Sequence, residues 1–362
     1  MEQLPFDCLS HVLKLVDVES IWSIGCTSKM LKLCILSPKF RNYLKDIVSK
    51  LTNLNTSNFN IGTISRIIKN PSVYKPLTGQ GDRTIHSISG SFVLFQDGSI
   101  LSNESDPVFS DKIIQIFEFS LNDCMFLTEK LNVVTIYKSL NLPFKVASIC
   151  GIYQSSIIYL GVNKNLYIDK TDFIAKFLDD HLSKVGDNLY KFRSVSDVIQ
   201  CSTSCKHFLT LDINGYVRAF GDTQYCGLGN RKEVFCFSQI IPNLQGVVEI
   251  LVSGDISLVL TKAGLVYFFS KLVTNPALVN FGYNTEIIDM SETEKEFYFL
   301  ARDRILYTIS KRDLDKFKGR IESKCVEYKG VERYVCCSYG RIIYFEDGTV
   351  DSNYDWIYSH KI

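Results

Sequence analysis

One hairpin-sized pattern returns seven times between residues 91 and 353, and that repetition limits the fold more than any other feature of the chain. The unit is an apolar triplet, a short polar turn and a second apolar stretch, with another hydrophobic segment ahead of it. It reads SFVLFQDGSIL (91–101), CMFLTEKLNVV (124–134), SIIYLGVNKNLYI (156–168), HFLTLDINGYVRAF (207–220), SLVLTKAGLVYFF (257–269), FYFLARDRILYTI (297–309) and RIIYFEDGTVDSN (341–353). Asp97-Gly98, Asn214-Gly215 and Asp347-Gly348 are turn pairs. They are expected as tight two-residue turns, which need positive φ. A small sheet built on such a unit has an apolar face that only a neighbouring sheet can cover.

Taking Leu94, Leu127, Leu160, Leu211, Leu260, Leu300 and Tyr344 as equivalent, the spacings are 33, 33, 51, 49, 40 and 44 residues. Four-stranded propeller blades take roughly 40–50 residues each, so the short intervals predict trimmed second and third blades. Closing the units into a ring removes long exposed sheet edges. The expected fold is therefore mainly β, a seven-bladed β-propeller over residues 83–362, preceded by a small all-α segment. The longest insertions are 169–194, with a helix expected at Thr171–Leu182, and 222–245.

Two of the units carry further detail. In 197–230, His207, Gly215, Phe220-Gly221-Asp222 and Gly227-Leu228-Gly229 occur in order, and 246–271 follows the same strand plan. This pattern resembles regulator-of-chromosome-condensation repeats. The match is good over these two blades and degenerate over the other five, and Cys226 and Gly227 replace the more usual Gly and Gln.

The N-terminal segment LPFDCLSHVLKLVDVESIWSIGCTSKMLKLCILSPKFRNYL (4–44) has a different period. Pro5 suits a first helical position, where its missing N–H costs nothing. Leu9, Val12, Leu13 and Val16 form one helical stripe. Asp17 and Glu19 open a second helix bearing Ile21, Trp22 and Ile24, and the dipole favours carboxylates there. A third helix carries Met30, Leu31, Leu33 and Leu36 up to Ser37-Pro38. Three helices in about forty residues cannot bury much surface alone. The segment resembles the F-box family in Leu4-Pro5, in Asp17 to Ile21, and in Phe40-Arg41-Asn42-Tyr43-Leu44, with Thr27 and Leu31 where Val and Trp are usual. Domain limits are expected at 1–50 (F-box), 51–82 (linker with a short helix) and 83–362 (propeller).

Charge narrows the partners. With 40 basic and 39 acidic residues the net charge is +1, which argues against a long footprint on nucleic acid. The 12 cysteines include no C-x-x-C pair, and together with the absence of a signal-peptide pattern they fit reduced thiols in cytoplasm or nucleus. The wealth of Ile, Asn, Lys, Tyr and Phe against 8 Pro points to AT-rich coding, and to host cytoplasm if the source is viral. No apolar run reaches membrane-spanning length. Cys201, Cys205, His207, Cys226 and Cys236 invite a zinc reading, but Cys201 and His207 sit at structural positions of the repeat, so no metal and no cofactor is expected. No nucleophile–base arrangement stands out, and no enzyme activity is expected.

Jointly the two resemblances imply a substrate adaptor of a Skp–cullin–F-box ubiquitin ligase. Leu4, Pro5, Leu9, Val12, Leu13, Val16, Ile21 and Ile24 would meet a Skp-type adaptor, and the propeller would capture a target protein. Such a protein raises the effective concentration of target lysines near a ubiquitin-loaded enzyme. Phe173, Phe177, Tyr190 and Phe192 in the first insertion are the candidate target contacts, aromatic anchors among charges. The competing reading is a stand-alone propeller that regulates a small GTPase or binds chromatin.

Overall fold

The computed structural model describes residues 85–89, 92–102, 109–120, 123–135, 139–153, 156–169, 179–229, 235–282, 285–316, 326–337, 340–347 and 350–352. The expected F-box helices (1–50) and the linker (51–82) lie outside them. The chain divides into two compact units, residues 83–329 with 335–340, and 1–82 with 330–334 and 341–362.

The first unit contains six antiparallel sheets in chain order, the blades of a mainly β propeller. Blade 1 holds β1 (Ile85–Ser89), β2 (Phe92–Phe95) and β3 (Ile100–Ser102); blade 2 holds β4 (Ile113–Ser120), β5 (Asp123–Thr128) and β6 (Val133–Thr135). Blade 3 has five strands, β7 (Val146–Tyr153), β8 (Ser156–Gly161), β9 (Leu166–Asp169), β10 (Leu182–Lys184) and β11 (Leu189–Phe192), in the spatial order β10-β11-β9-β8-β7. Blade 4 runs through β12 (Val198–Thr203), β13 (His207–Asp212), β14 (Val217–Asp222) and β15 (Phe235–Ile240). Blade 5 uses β16 (Val247–Ser253), β17 (Ile256–Thr261), β18 (Val266–Ser270) and β19 (Ala277–Leu278). Blade 6 uses β20 (Ile287–Glu292), β21 (Glu296–Ala301), β22 (Ile305–Ser310) and β23 (Val326–Lys329), with helix α1 (Lys311–Lys316) after β22. A separate three-stranded sheet of β24 (Val331–Cys337), β25 (Gly340–Phe345) and β26 (Val350–Ser352) carries the last sequence hairpin, in which Tyr344 pairs with Val350.

The six leucines chosen as equivalents share one register. Leu94, Leu127, Leu160, Leu211 and Leu260 each pair with the first residue of the third strand of their blade, and Leu300 pairs with Leu306, the second residue of β22. On the other side each pairs with the residue just past a bulge in the first strand: Ser87, Gln115, Ser148, Gln200, Glu249 and Asp289. All six leucines are buried. Side chains alternate along a strand, so successive residues serve different neighbours. Tyr159 joins the core between blades 2 and 3, whereas Ile158 and Leu160 join the core between blades 3 and 4. Each of these five core clusters of described residues is built this way from two consecutive blades.

Two details differ from the sequence expectation. Among the described residues the three-stranded blades are the first and second, and the third is the fullest. The physical reason is that an interval counted from one second strand to the next measures the outer strands of the earlier blade. Where blade 2 would have a fourth strand, the described residues form a single bridge, Val134 to Ser139. Leu182, expected to end a helix, opens β10, with a 3-10 turn at Asp179–His181 before it; the rest of the expected helix lies outside the described residues.

The hairpin turns also differ, having three residues. In blade 1 Gly98 N–H donates to the Phe95 carbonyl and Phe95 N–H to the Ser99 carbonyl, 2.9 Å each. This is a type I turn closed by one left-handed residue, a form whose twist suits the flanking strands. The left-handed position is Gly98, Leu131, Lys164, Gly215, Gly264 or Arg304 in blades 1 to 6, with φ between 60° (Lys164) and 84° (Gly98). Its carbonyl accepts the first strand N–H of the next blade in four joints, from Ile113 to Gly98, Val146 to Leu131, Val198 to Lys164 and Ile287 to Gly264.

At Gly264 a Cβ would lie 2.8 Å from the Glu286 Cα, whereas at the equally left-handed Gly254 nothing lies within 4 Å. Gly254→Ala should cost about 1 kcal/mol and Gly264→Ala about 3 kcal/mol. Denaturant unfolding of the two variants checks this; equal losses would mean that the joint does not constrain the turn.

Candidate target-binding face

In blades 4, 5 and 6 the first hairpin turn and the start of the third-to-fourth-strand connection lie at the same end of the antiparallel sheet. Blade 4 shows how the motif residues build it. Gly221 has φ +115°, and a Cβ there would lie 2.4 Å from the Lys206 carbonyl oxygen, so β14 can approach β13 this closely only without a side chain. Asp222 caps the 3-10 turn Thr223–Tyr225 by accepting the Gln224 N–H at 3.0 Å. The glycine-rich loop then reaches blade 5, where Gly229 N–H donates to the Thr274 carbonyl at 2.8 Å.

His207 is fully buried, with Nε2 2.6 Å from the Ser257 hydroxyl of blade 5 and Nδ1 3.2 Å from Ser204 Oγ. Desolvation lowers its pKa from 6.5 to about 4, the Asp255 charge opposing and the Lys206 charge adding to the shift. It is a cross-blade strut. The cysteines once considered beside it are dispersed. Cys201 is in the core between blades 3 and 4, Cys205 is exposed, and Cys226 and Cys236 are in the core between blades 4 and 5 with sulfurs 3.3 Å apart. Among the described residues no three His, Cys, Asp or Glu side chains gather in a way that could hold a metal ion.

Around this strut lie two ionic networks. Lys206 Nζ is 2.8 Å from Asp255 and 3.1 Å from the Tyr225 hydroxyl, 4.6 Å from that ring's centroid. Lys311, at the start of α1, lies 2.5 Å from Glu292, donates to Ser253 Oγ, and sits 5.0 Å from the centre of the Phe297 ring. Between them opens a cleft of about 520 Å³ lined by Asp255, Ile256, Glu292, Glu294, Lys311 and Arg312 among others. Glu294 and Arg312 are exposed at it. Such a surface offers hydrogen bonds and charges of both signs over a small apolar floor, a composition suited to recognition. The sequence reading missed it because its residues come from two hairpin turns and the start of α1, spread over two blades.

The aromatic residues expected to meet a target fare differently. Phe192 is completely buried, 5.8 Å in ring separation from both Phe208 and Phe220. It is corrected to a core residue, because pairing of β11 with β9 carries it inward. Tyr190 is half-buried on β11 and packs against the same core. Phe173 and Phe177, like the adaptor residues Leu4, Pro5, Leu9, Val12, Leu13, Val16, Ile21 and Ile24, lie outside the described residues.

Six blades in sequence, joined by shared cores, define a β-propeller. Residues 1–43 match the family model "F-box domain", and solved structures of similar fold include regulator-of-chromosome-condensation propellers. Yeast RCC1 (Prp20) bound to Kap60 is 16% identical, with 67% of this chain and 69% of that chain covered and a TM-score of 0.50. Prp20p from Saccharomyces cerevisiae is 17% identical over 70% and 74%, with a TM-score of 0.51. Human WBSCR16 is 14% identical over 75% and 87%, with a TM-score of 0.52. At these identities the likeness is one of fold. No curated protein matches the sequence. Among the described residues no helix is long and apolar enough to cross a membrane.

The depressed pKa of His207 gives a pH dependence of definite sign. The folded state holds this ring neutral while the unfolded chain protonates near 6.5, so its contribution is complete above that pH. It falls away towards pH 4, by about 3 kcal/mol. Chemical denaturation between those limits should show the loss in the parent chain and a flatter profile in His207→Gln; the same slope in both would remove the buried histidine as its source.

Proposed function

We propose that the chain is the substrate-recognition adaptor of a Skp–cullin–F-box ubiquitin ligase, with the F-box docking a Skp-type adaptor and the propeller holding a target protein. The observation that carries this reading is the F-box match at residues 1–43 on a chain whose remainder builds a propeller. Both parts belong to protein-interaction folds, and neither requires chemistry from this chain. The proposal includes a seven-bladed ring, with the β24–β26 sheet as the last blade, and domains at 1–50, 51–82 and 83–362. It also includes a cytoplasmic or nuclear site of action.

The adaptor contacts are assigned to Leu4, Pro5, Leu9, Val12, Leu13, Val16, Ile21 and Ile24. A buried apolar anchor at an interface is worth about 2–4 kcal/mol. Leu9→Asp or Val16→Asp should therefore abolish co-purification with a Skp-type adaptor while the propeller's unfolding transition stays in place. A parent chain that binds no Skp-type adaptor would end this reading.

Target capture is assigned to the cleft of blades 5 and 6 and to the insertion carrying Phe173, Phe177 and Tyr190. Leu182 is buried in blade 3, so the informative deletion stops short of it. Replacing 170–178 by a Gly/Ser linker should reduce capture of ubiquitin-modified targets in cells without changing thermal stability. A large fall in stability would make this segment structural instead.

A further inference from the structure

At two joints the residue just past the first-strand bulge reaches across to the next blade, and the chemistry of this position varies from joint to joint. At the joint of blades 2 and 3 it is Gln115. Its Nε2 donates to the Ile149 carbonyl at 3.1 Å, and its Oε1 accepts the Ile149 N–H at 3.0 Å. At the joint of blades 4 and 5 it is Gln200, whose Nε2 donates to the Ile250 carbonyl at 3.1 Å and whose Oε1 accepts the Ile250 N–H at 2.9 Å. Ile149 follows Ser148 and Ile250 follows Glu249, the equivalent positions of the next blades. Each glutamine thus holds both polar groups of one backbone residue across the joint. An amide can do so because it has a donor and an acceptor side by side.

At the joint of blades 5 and 6 the same position is Glu249, and the residue after its equivalent, Asp289, is Met290. The Met290 backbone N–H lies close enough to the Glu249 carboxyl to favour its charged form. An ionised carboxylate only accepts, so it could match half of the clamp at most, and it would stand beside the Asp289 charge. A carboxylic acid has one donor and one acceptor, like the amide. We propose that Glu249 is a neutral carboxylic acid in the folded protein and clamps Met290 as Gln115 clamps Ile149, so that the joint between blades 5 and 6 weakens on loss of one proton.

The surroundings agree. Burial, and after it the Asp289 charge, raises the Glu249 pKa from 4.5 to about 8, with the Met290 N–H pulling it down. Of the other strands packed on β16, β17 brings no titratable side chain and β12 brings only the Cys201 thiol, held neutral by burial. From β13 come His207, engaged by Ser257, and Asp212, engaged in its own turn. From β20, beyond Asp289, comes Glu292, engaged by Lys311.

The sign follows from linkage. The folded state holds this proton more tightly than the unfolded chain, so the contribution is complete below about pH 4.5 and is lost as pH rises through about 8. The test is thermal unfolding of the full chain and of E249Q from about pH 6 to about pH 9.5. The midpoint of the parent should fall relative to E249Q across this range, with E249Q the higher at the alkaline end. Parallel curves would overturn the proposal. Should E249Q fail to fold, carbon NMR of the parent labelled at glutamate carboxyls decides. One resonance titrating far above the others supports the acid, and uniform titration in the ordinary carboxylate range overturns it.

Discussion

No blade of this propeller can bury its own apolar residues, and the structure depends on that shortage. A three- or four-stranded sheet has two faces and almost no interior. Phe126 goes to the core shared with blade 1 while Leu127, its neighbour in β5, goes to the core shared with blade 3. Burial at roughly 25 cal/mol per Å² is therefore realised only when consecutive blades meet. The polar links at each joint set how they meet. The left-handed turn residue offers its carbonyl to the next blade at four joints; a glutamine clamp adds to it between blades 2 and 3, and a second clamp and the His207–Ser257 contact fix the spacing between blades 4 and 5. Apolar burial supplies the drive, and the backbone hydrogen bonds supply the register.

The same division explains what could be read from the sequence. The leucine equivalence was legible because strand alternation is local, and a one-residue slip would have turned each leucine to the wrong face. The left-handed turn position was legible only in part. Gly98, Gly215 and Gly264 advertise it, but Leu131, Lys164 and Arg304 occupy it in the other blades. Phe192 misled for a related reason. It stands among charged residues in the sequence, and its burial is decided by the pairing of β11 with β9 and by Phe208 and Phe220 of the next blade.

The candidate cleft was illegible for a deeper reason. Asp255 sits in a two-residue turn, Glu292 at a strand end, and Lys311 at the start of a six-residue helix. Each has an ordinary local explanation, and only the lateral packing of blades 5 and 6 brings them together. The F-box, by contrast, is a contiguous pattern, and the match to residues 1–43 follows the same stretch that the apolar stripe and the Leu4-Pro5 opening mark.

The habit of sharing every core between sequence neighbours also bears on how the chain acquires its structure. Contacts of this kind span about one blade length and do not join distant parts of the chain, so loop-closure entropy stays modest at each step. A ribosome delivering blade 1 before blade 2 supplies the partners in the order in which they are needed. Among the described residues the first and second blades have the fewest strands, and the growing array begins on them. A nascent chain halted within blade 4 would leave Leu209 and Leu211 without Val247 and Ile250 to cover them, a sticky face that each further blade transfers outward until synthesis ends.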